Sequence, residues 1–467
     1  MKHLGRRRVL QTGLAAFSAG AVSAPATADE TAEGRTLYVG TGWGDESVVA
    51  LDAVDGTEKW SFETEDSVWS SPTVVDGTVY VGCNDDRVYA IDAATGEEEW
   101  SFETGDSIQW SSPVVVDGMV FVGSQDHNVY ALDAEDGAEY WTFETNRPIS
   151  GSPNVKDGTV YFGNSYGYVY ALDAEDGTEQ WATEISPVFS VVSSPTVADG
   201  TVYVGCNDDH VYALDAQRGT EQWSVETGDT VRSSPTVVDG RVYVGSGDRH
   251  LYALDGADGT TNWSFQAGDS ITWSSPTVVD EMVIVGVTTH MYRDSVVALN
   301  ALTGNQIWGF DETNTASSVV ASPTVADGVV YVGAQDQRLY ALNLSDGTEI
   351  WSVETDFSIN SSVTVVDDPE AGHSIDTRVE HRTLGHHHEG AGTALDPPEP
   401  ATPEDEETPT ETDTPADQDT PADGSGESDS DVEIEVPGFG VGGAVAALAG
   451  TGYLLKRRLG AEDDEKT

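Results

Sequence analysis

The sequence predicts an all-β fold, an eight-bladed β-propeller made of four-stranded antiparallel blades. The first observation is a tryptophan that recurs every 40 to 45 residues within positions 35–367, at Trp60, Trp100, Trp141, Trp181, Trp223, Trp263, Trp308 and Trp351. The second is that each segment contains four short runs rich in Val and Tyr. The third is that the first segment lacks one run and a spare run follows the last tryptophan. A fixed period of this length indicates a repeat architecture.

The second segment, Ser70–Trp100, shows the expected elements in order. Its runs show no helical period and are bounded by turn residues, so they predict strands; they are Pro72–Val75, Thr78–Val81, Val88–Ile91 and Glu97–Trp100. Asp76-Gly77 predicts a two-residue type I′ hairpin, because Gly tolerates the positive φ that this turn requires. Asp92–Gly96 predicts a second hairpin. Each segment should therefore form a four-stranded meander, and meanders packed radially form a propeller.

The two ends of the repeat region are expected to share blade 1. The first segment begins at Arg35 and has no counterpart of the Ser-Ser-Pro-Thr-Val-Val run. That run appears after the last segment, as Ser361–Val366. Pairing of this C-terminal strand into blade 1 would close the ring with no strand left over.

The segments carry a motif that identifies a family resemblance. Ala131–Trp141 and Ala171–Trp181 both read Ala-Leu-Asp-Ala-x-x-Gly-x-x-x-Trp. This pattern resembles the tryptophan-docking motif of pyrroloquinoline-quinone-like (PQQ-like) repeat propellers, which include eight-bladed quinoprotein alcohol dehydrogenases and non-catalytic scaffolds of outer-membrane assembly. The resemblance implies that the eight repeated tryptophans are structural docking residues between blades.

Residues 1–28 are expected to be a twin-arginine signal peptide. The basic run Arg6–Arg8 precedes an apolar stretch, Leu14–Val22, and Ala26–Ala28 has the pattern of a cleavage site. The ring is therefore expected to be exported in its folded state.

The region after the ring is expected to tether it to the membrane. Residues 368–395 predict a His-containing linker, and residues 396–435, which are acidic, rich in Thr and Pro and free of Lys and Arg, predict a disordered stalk. Residues 436–458 combine an uncharged run with the basic cluster Lys456–Arg458 and are long enough to cross a bilayer, which needs about 20 residues. Residues 459–467 would form a cytoplasmic tail.

Pro437–Gly440 at the start of that run gives a second resemblance. It resembles the PGF-type sorting signal of archaeal surface proteins, which implies that an archaeosortase replaces the transmembrane helix with a lipid. A retained C-terminal membrane anchor is the alternative. Both place the ring at the extracellular face of the membrane.

The charge of the chain excludes some partners. The sequence has 82 acidic and 21 basic residues and a formal net charge of −61 at pH 7. Nucleic acid is not an expected partner, since phosphate contacts need clustered Lys and Arg. A compact fold with this charge repels itself unless salt screens it, so we interpret the chain as halophilic and as a monomeric ring.

A ligand is expected at the channel mouth, on the face where loops enter the innermost strands. The residue before each Ser-Ser pair or its counterpart varies and is often aromatic. The candidate ligand-binding residues, with one from the loop of blade 1, are Trp43, Trp69, Trp110, Arg232, Trp273 and Asn360. Such side chains can bind a sugar, a peptide or a planar ligand. Packing between blades is the alternative.

No metal site or catalytic residue is predicted. His127, His210, His250 and His290 lie in separate loops, and nothing in the sequence makes them converge as metal binding requires. Quinoprotein dehydrogenases have adjacent cysteines beside the cofactor and insertions that supply calcium ligands. Here Cys83 and Cys206 lie in different segments and are expected to be free thiols, so PQQ with Ca²⁺ remains only an alternative cofactor assignment.

We therefore predict a non-catalytic, surface-anchored module that binds or scaffolds a protein or a glycan. One alternative is a minimal PQQ-dependent alcohol or sugar dehydrogenase. The other is a structural component of the cell wall or surface layer.

The charge leads to a salt prediction. Dialysis of the isolated ring from molar salt into about 0.1 M NaCl should unfold it, because the screening length grows from about 3 Å to about 10 Å. Far-ultraviolet circular dichroism measures the change. A β-type spectrum that persists at low salt would contradict the halophilic interpretation.

Overall fold

The computed structural model describes residues 34–42, 46–288, 295–311, 318–355 and 358–367. Their regular secondary structure consists of 32 β-strands in eight antiparallel four-stranded sheets. Within these ranges there is no helix that could span a membrane. The segments predicted as signal peptide, linker, stalk, anchor and tail lie outside the described residues.

The strands occupy the same four positions in every blade. The innermost strands are β4 (Thr73–Val75), β8 (Val114–Val116), β12 (Asn154–Lys156), β16 (Thr196–Ala198), β20 (Thr236–Val238), β24 (Thr277–Val279), β28 (Thr324–Ala326) and β32 (Thr364–Val366). The second strands are β1 (Thr36–Gly40), β5 (Thr78–Gly82), β9 (Met119–Gly123), β13 (Thr159–Gly163), β17 (Thr201–Gly205), β21 (Arg241–Gly245), β25 (Met282–Gly286) and β29 (Val329–Ala334).

The outer two positions complete each sheet. The third strands are β2 (Ser47–Asp52), β6 (Arg87–Asp92), β10 (Asn128–Asp133), β14 (Tyr168–Asp173), β18 (His210–Asp215), β22 (His250–Asp255), β26 (Val296–Asn300) and β30 (Arg338–Asn343). The outer strands are β3 (Glu58–Glu63), β7 (Glu98–Glu103), β11 (Glu139–Glu144), β15 (Glu179–Glu184), β19 (Glu221–Glu226), β23 (Thr261–Gln266), β27 (Gln306–Phe310) and β31 (Glu349–Glu354). Blade 1 is β32 with β1–β3, and blades 2 to 8 follow in chain order from β4.

The predicted eight blades and their closure are confirmed. Strand β32 pairs antiparallel with β1, with Thr36 opposite Val366 and Tyr38 opposite Thr364. Each innermost strand also contacts the innermost strands of both neighbouring blades, all the way around the ring. The two ends of the propeller are thus held in one sheet.

The local turns and strand ends follow the sequence with one correction. Asp76 and Gly77 both have positive φ, 50° and 86°, as a type I′ turn requires. The outer strand of blade 2, however, does not end at Trp100 but continues to Glu103, which pairs with Arg87. The longer strand satisfies the backbone groups of the whole third strand, so the tryptophan lies within the strand and not at its end.

Each repeated tryptophan bridges to the next blade. Its indole Nε1 donates a hydrogen bond to a backbone carbonyl there, at 2.8–3.2 Å in all eight blades. Trp351 donates to Ala53 and so joins blade 8 to blade 1. In blade 1, Tyr38 donates to the carbonyl of Ala93 that also accepts from Trp60. A Cβ on Gly96, where φ is +74°, would lie 2.7 Å from the Trp60 ring, so only glycine allows this close approach.

A second set of contacts joins the innermost strands. One serine before each of these strands donates its backbone N–H to the hydroxyl of the corresponding serine in the next blade, at 2.9–3.2 Å. The circuit is complete, since Ser362 donates to Ser71. It consists of Ser71, Ser112, Ser152, Ser194, Ser234, Ser275, Ser322 and Ser362.

Blade 4 departs from the pattern just below this serine circuit. In six blades a threonine hydroxyl donates to a carbonyl of the next blade, as Thr196 does to Pro235 at 2.6 Å. Blade 4 has Asn154 at this position, fully buried, and neither its amide nitrogen nor its oxygen has a hydrogen-bond partner among the described residues. A buried polar group without a partner costs about 1–3 kcal/mol.

We therefore predict that Asn154→Thr stabilises the ring by about 1 kcal/mol or more, because the hydroxyl can donate to the carbonyl of Pro195 as its counterparts do. Urea unfolding in molar salt measures the free energy of unfolding. Asn154→Val is the matched control, since it removes the amide without adding a donor. Equal or lower stability of the threonine variant relative to the valine variant would contradict the prediction.

Candidate functional site

The candidate site is the channel mouth on the top face, which we define as the face where loops enter the innermost strands. A cavity of about 270 Å³ lies there. Its floor is formed by serines of the circuit. Its wall is formed mainly by the residues that lie two positions before these serines in the sequence. The lining consists of Trp69, Ser71, Trp110, Ser112, Gly151, Val192, Ser194, Arg232, Ser234, Trp273, Val320, Ala321, Ser322, Gln335, Asn360 and Ser362.

Three tryptophans form a continuous stack across this mouth. Trp69 and Trp110 are parallel to within 17°, with ring centroids 5.7 Å apart. Trp110 in turn contacts Trp273 at 5.3 Å between centroids. Trp110 precedes β8 in blade 3 and Trp273 precedes β24 in blade 7, on opposite sides of a ring of eight. The stack therefore spans the channel, and Trp110 is 38% exposed.

Arg232 extends the stack with a positive charge. Its guanidinium carbon lies 4.7 Å from the centroid of the Trp273 ring, a cation–π geometry, and its Nε donates to Oδ1 of Asn207 at 2.9 Å. Burial lowers the pKa of the guanidinium from its ordinary value, but arginine keeps its charge. Among the described residues of the lining, Arg232 is the one charged side chain, in a protein with a net charge of −61.

Five of the six candidate ligand-binding residues meet at this cavity: Trp69, Trp110, Arg232, Trp273 and Asn360. Trp43 lies outside the described residues. Sequence reasoning missed Gln335, which donates from Nε2 to Oδ1 of Asn360 at 3.4 Å. Its position after the second strand carried a signal, because that loop shares the top face with the loop that enters the innermost strand.

Two of the described histidines contact their own loops. Nδ1 of His210 lies 2.8 Å from the carbonyl oxygen of Asp208 in its own loop, and Nδ1 of His250 lies 3.2 Å from that of Asp248. His290 lies outside the described residues. In the part of the chain that the structure describes, no group of three or more His, Cys, Asp or Glu side chains could hold a metal ion.

The closed ring of eight four-stranded blades is a β-propeller. A family model, PQQ_2, described as outer membrane protein assembly factor BamB, matches residues 11–123, 105–206, 165–311 and 291–372. The chain therefore belongs to this PQQ-like repeat family.

Two curated relatives match shorter segments. The outer membrane protein assembly factor BamB of Salmonella typhimurium is 36% identical over 86 residues, which is 17% of this chain and 21% of that protein. The quinohemoprotein alcohol dehydrogenase of Comamonas testosteroni is 32% identical over 104 residues, which is 21% of this chain and 14% of that enzyme. The matches thus span about a fifth or less of the relatives' lengths.

Solved structures share the fold. The crystal structure of BamB from Moraxella catarrhalis aligns with 66% of this chain and 93% of its own, with a TM-score of 0.52 and 20% identity. That of the Comamonas testosteroni quinohemoprotein alcohol dehydrogenase aligns with 66% and 73%, with a TM-score of 0.52 and 17% identity. At these identities the likeness concerns the fold alone.

The mouth does not fit a quinone held with calcium. Calcium takes six to eight oxygen ligands, usually including carboxylates, and no Asp or Glu belongs to the described lining. The two cysteines are not a pair beside the cavity. Cys83 and Cys206 are buried free thiols in blades 2 and 5. What the described mouth offers is an aromatic surface, one cation and a floor of hydroxyls.

The two thiols provide a test of their burial in blades 2 and 5. Burial raises the pKa of Cys83 and Cys206 to about 12, so both thiols are protonated in the folded protein at pH 8. Ellman's reagent should label neither thiol in molar salt and both in urea, because the thiolate is the reacting form. Rapid labelling of either cysteine at pH 8 without unfolding would contradict the described burial.

Proposed function

We propose that this protein is a non-catalytic binding module that holds a protein or glycan ligand at the channel mouth, at the extracellular face of the cell membrane. The observation that carries the proposal is the Trp69–Trp110–Trp273–Arg232 stack across the opening. It exposes Trp110, with Trp69 and Trp273 half-buried beside it, in a protein with a net charge of −61.

The chemistry of the lining favours a ligand with flat apolar faces and hydrogen-bonding groups. Aromatic rings supply large contact areas with little loss of side-chain entropy. Below the rings, Ser112 and Ser234 offer polar groups, and Asn360 with Gln335 offers an amide pair at the rim. Sugar rings and the aromatic or aliphatic side chains of a peptide both match such a surface.

The positive charge of Arg232 adds selectivity. With no carboxylate in the described lining, an anionic group on the ligand has one cation to meet there, and the charge of Asp229 acts on that cation from outside the lining. The guanidinium is held by Asn207 and Trp273, so binding an anion needs little further ordering of its side chain. We infer that ligands bearing a carboxylate bind more tightly than their neutral analogues.

The location of the module is proposed from sequence and relatives together. The N-terminal basic and apolar segments predict export, and the C-terminal segments predict a membrane anchor or an attached lipid. Membership of a family described as an outer membrane protein assembly factor supports a role at a cell envelope. We propose a monomeric ring on a stalk, adapted to high salt, with nucleic acid excluded as a partner by the charge.

A minimal PQQ-dependent dehydrogenase is the second candidate. The similarity to a quinohemoprotein alcohol dehydrogenase and the Arg232–Trp273 pair favour it, because a planar anion suits a ring beside a guanidinium. The carboxylate-free lining weighs against it, since a calcium ion would lack ligands. No reaction step is assigned to any residue of this chain.

Arrays of glycans and of short peptides, probed with the full exported chain in molar KCl, test the proposal. The wild-type protein should bind a defined subset, and Trp110→Ala should weaken binding by about tenfold or more, because exposed aromatic residues at the centre of a site carry much of its affinity. Arg232→Gln should weaken binding of the carboxylate-bearing ligands only. Ile307→Ala, an exposed apolar position on outer strand β27, is the control and should change nothing.

The competing enzyme activity is measured in parallel. The protein is incubated with PQQ and Ca²⁺, and dye reduction with alcohols and sugars is followed in the same salt. Turnover that Trp110→Ala abolishes would overturn the non-catalytic proposal. Array binding that all variants retain would show that the ligand does not occupy the mouth.

A further inference from the structure

A second surface on the top face differs from the rest of the ring. Three loops around blade 4, at 145–148, 164–168 and 185–190, lie against each other. Ser165 donates its N–H to the carbonyl of Pro148 at 2.8 Å, and the hydroxyl of Ser190 donates to the carbonyl of Ser165 at 3.1 Å. These loops expose Asn146, Arg147, Tyr166, Pro187, Val188 and Phe189, and we call these side chains the blade-4 patch.

The patch brings together several of the exposed apolar side chains of the described ring. Val188 is 71% exposed, Phe189 49% and Tyr166 39%, and these are three of the eight exposed large hydrophobic residues in the described ranges. Arg147 lies over the Tyr166 ring, with its guanidinium carbon 5.0 Å from the centroid. Contiguous exposed apolar side chains in a soluble protein indicate an interaction site.

The patch also reverses the charge of the equivalent loops. Tyr166 occupies the position of an aspartate in five other blades, namely Asp85, Asp126, Asp208, Asp248 and Asp336. Arg147 occupies the position of an aspartate in four, namely Asp66, Asp106, Asp229 and Asp269. The three loops of the patch contain no Asp or Glu, although the chain as a whole has 82 acidic residues. The loops themselves therefore carry one positive charge and no negative one, with Glu144 and Glu184 flanking them and Glu184 accepting a hydrogen bond from Tyr168 at 2.9 Å.

The fold compensates for the replacement of a loop aspartate by Tyr166. In blade 6, Asp248 accepts a hydrogen bond from the hydroxyl of Tyr252 at 2.5 Å. In blade 4, Asn164 replaces that function: its amide contacts the Tyr170 hydroxyl at 3.4 Å, and its Oδ1 accepts from the backbone of Tyr166 at 3.0 Å. Position 166 is thereby released from a structural role, and its side chain faces solvent.

The fold also compensates for the replacement of the other loop aspartate by Arg147. In blade 3, Asp106 accepts a hydrogen bond from the N–H of Ser107 at 2.8 Å. In blade 4 the following residue is Pro148, which has no N–H to satisfy. Position 147 therefore needs no carboxylate and is free to carry an arginine.

Loop 185–190 is built over this surface. A Cβ on Gly167, where φ is +74°, would lie 1.7 Å from the carbonyl oxygen of Ser186 and 2.9 Å from that of Phe189. Only glycine at 167 lets the longer loop close against loop 164–168, with Ile185 donating to the Gly167 carbonyl at 2.8 Å. This contact holds Val188 and Phe189 beside Tyr166.

We propose that the blade-4 patch is a docking surface for an extended segment of another protein that carries aromatic or aliphatic side chains next to carboxylates. The apolar side chains would pack on Val188, Phe189 and Tyr166, and a carboxylate would pair with Arg147. The blade-4 patch is distinct from the channel mouth, and docking at the patch does not depend on ligand binding at the mouth.

The chemistry of the patch favours a protein over the other classes of partner. A sugar needs several polar side chains that match its hydroxyls. Here the polar groups are Arg147, the Tyr166 hydroxyl and Asn146, whose Oδ1 already accepts a hydrogen bond from Asn164 at 3.2 Å. A lipid surface needs several cations or a larger apolar face for stable binding, and the patch has one cation. Aspartates at the equivalent loop positions of the other blades would repel an acidic partner, so such a partner meets less repulsion at the patch than at those loops.

Fluorescence anisotropy with three labelled peptides tests the proposal on the full chain in molar KCl. The peptides alternate Glu with Phe, Lys with Phe, and Glu with Ser. The Glu/Phe peptide should bind most tightly, because it alone combines both features. Tyr166→Asp and Arg147→Asp place at these positions the residue type of the other blades, so they should fold, and each should weaken binding by about tenfold, or 1.4 kcal/mol.

Leu302→Ser is the matched control. Leu302 is 52% exposed in blade 7, away from the patch, and its loss should leave binding unchanged. The proposal is overturned if the Glu/Phe peptide does not bind, if the Lys/Phe peptide binds better, or if Leu302→Ser weakens binding as much as Tyr166→Asp. Cosedimentation with phosphatidylglycerol vesicles that Phe189→Ser abolishes would instead assign the patch to a membrane.

Discussion

Neighbouring blades depend on one another, because each sheet is apolar on both faces and can bury them only against adjacent sheets. The contacts between blades are therefore the interactions on which the remaining structure rests. Trp60 shows how they work: its indole donates to the Ala93 carbonyl and its ring packs on Gly96. The serine circuit also joins neighbouring blades at the channel, because each serine backbone N–H donates to a serine hydroxyl of the next blade. Pairing of Thr36 with Val366 makes the set of contacts complete.

A ring held in this way leaves its top-face loops free to vary. The strands and turns must keep their apolar and glycine residues, but the residues two positions before each serine of the circuit line the channel mouth and are not needed to join blades. Trp110 and Arg232 lie at such positions and give the mouth its aromatic and cationic character. Because this part of a propeller determines binding while the blades determine the fold, relatives with different activities, an assembly factor and a dehydrogenase, share the architecture.

The channel mouth and the blade-4 patch differ in charge from the remaining exposed loops. Most of the exposed loops carry aspartates, and Asp86 illustrates the crowding: burial and then the nearby charges of Asp106 and Asp85 raise its pKa above the ordinary value. The mouth and the blade-4 patch lack carboxylates in their described residues and each holds one arginine. In a strongly acidic protein, such places are where an anionic ligand or an acidic partner meets the least repulsion.

The sequence by itself determined the number of blades, the closing strand, the hairpin at Asp76-Gly77 and five of the residues that line the mouth, because a repeat fixes where each equivalent position lies on the ring. It did not reveal that Trp110 crosses the channel to contact Trp273, since no spacing encodes how far a side chain reaches. Nor did it show that Asn164 and Pro148 release Tyr166 and Arg147 from structural roles. Those relations exist only between loops brought together by folding, and so the tertiary structure alone decided them.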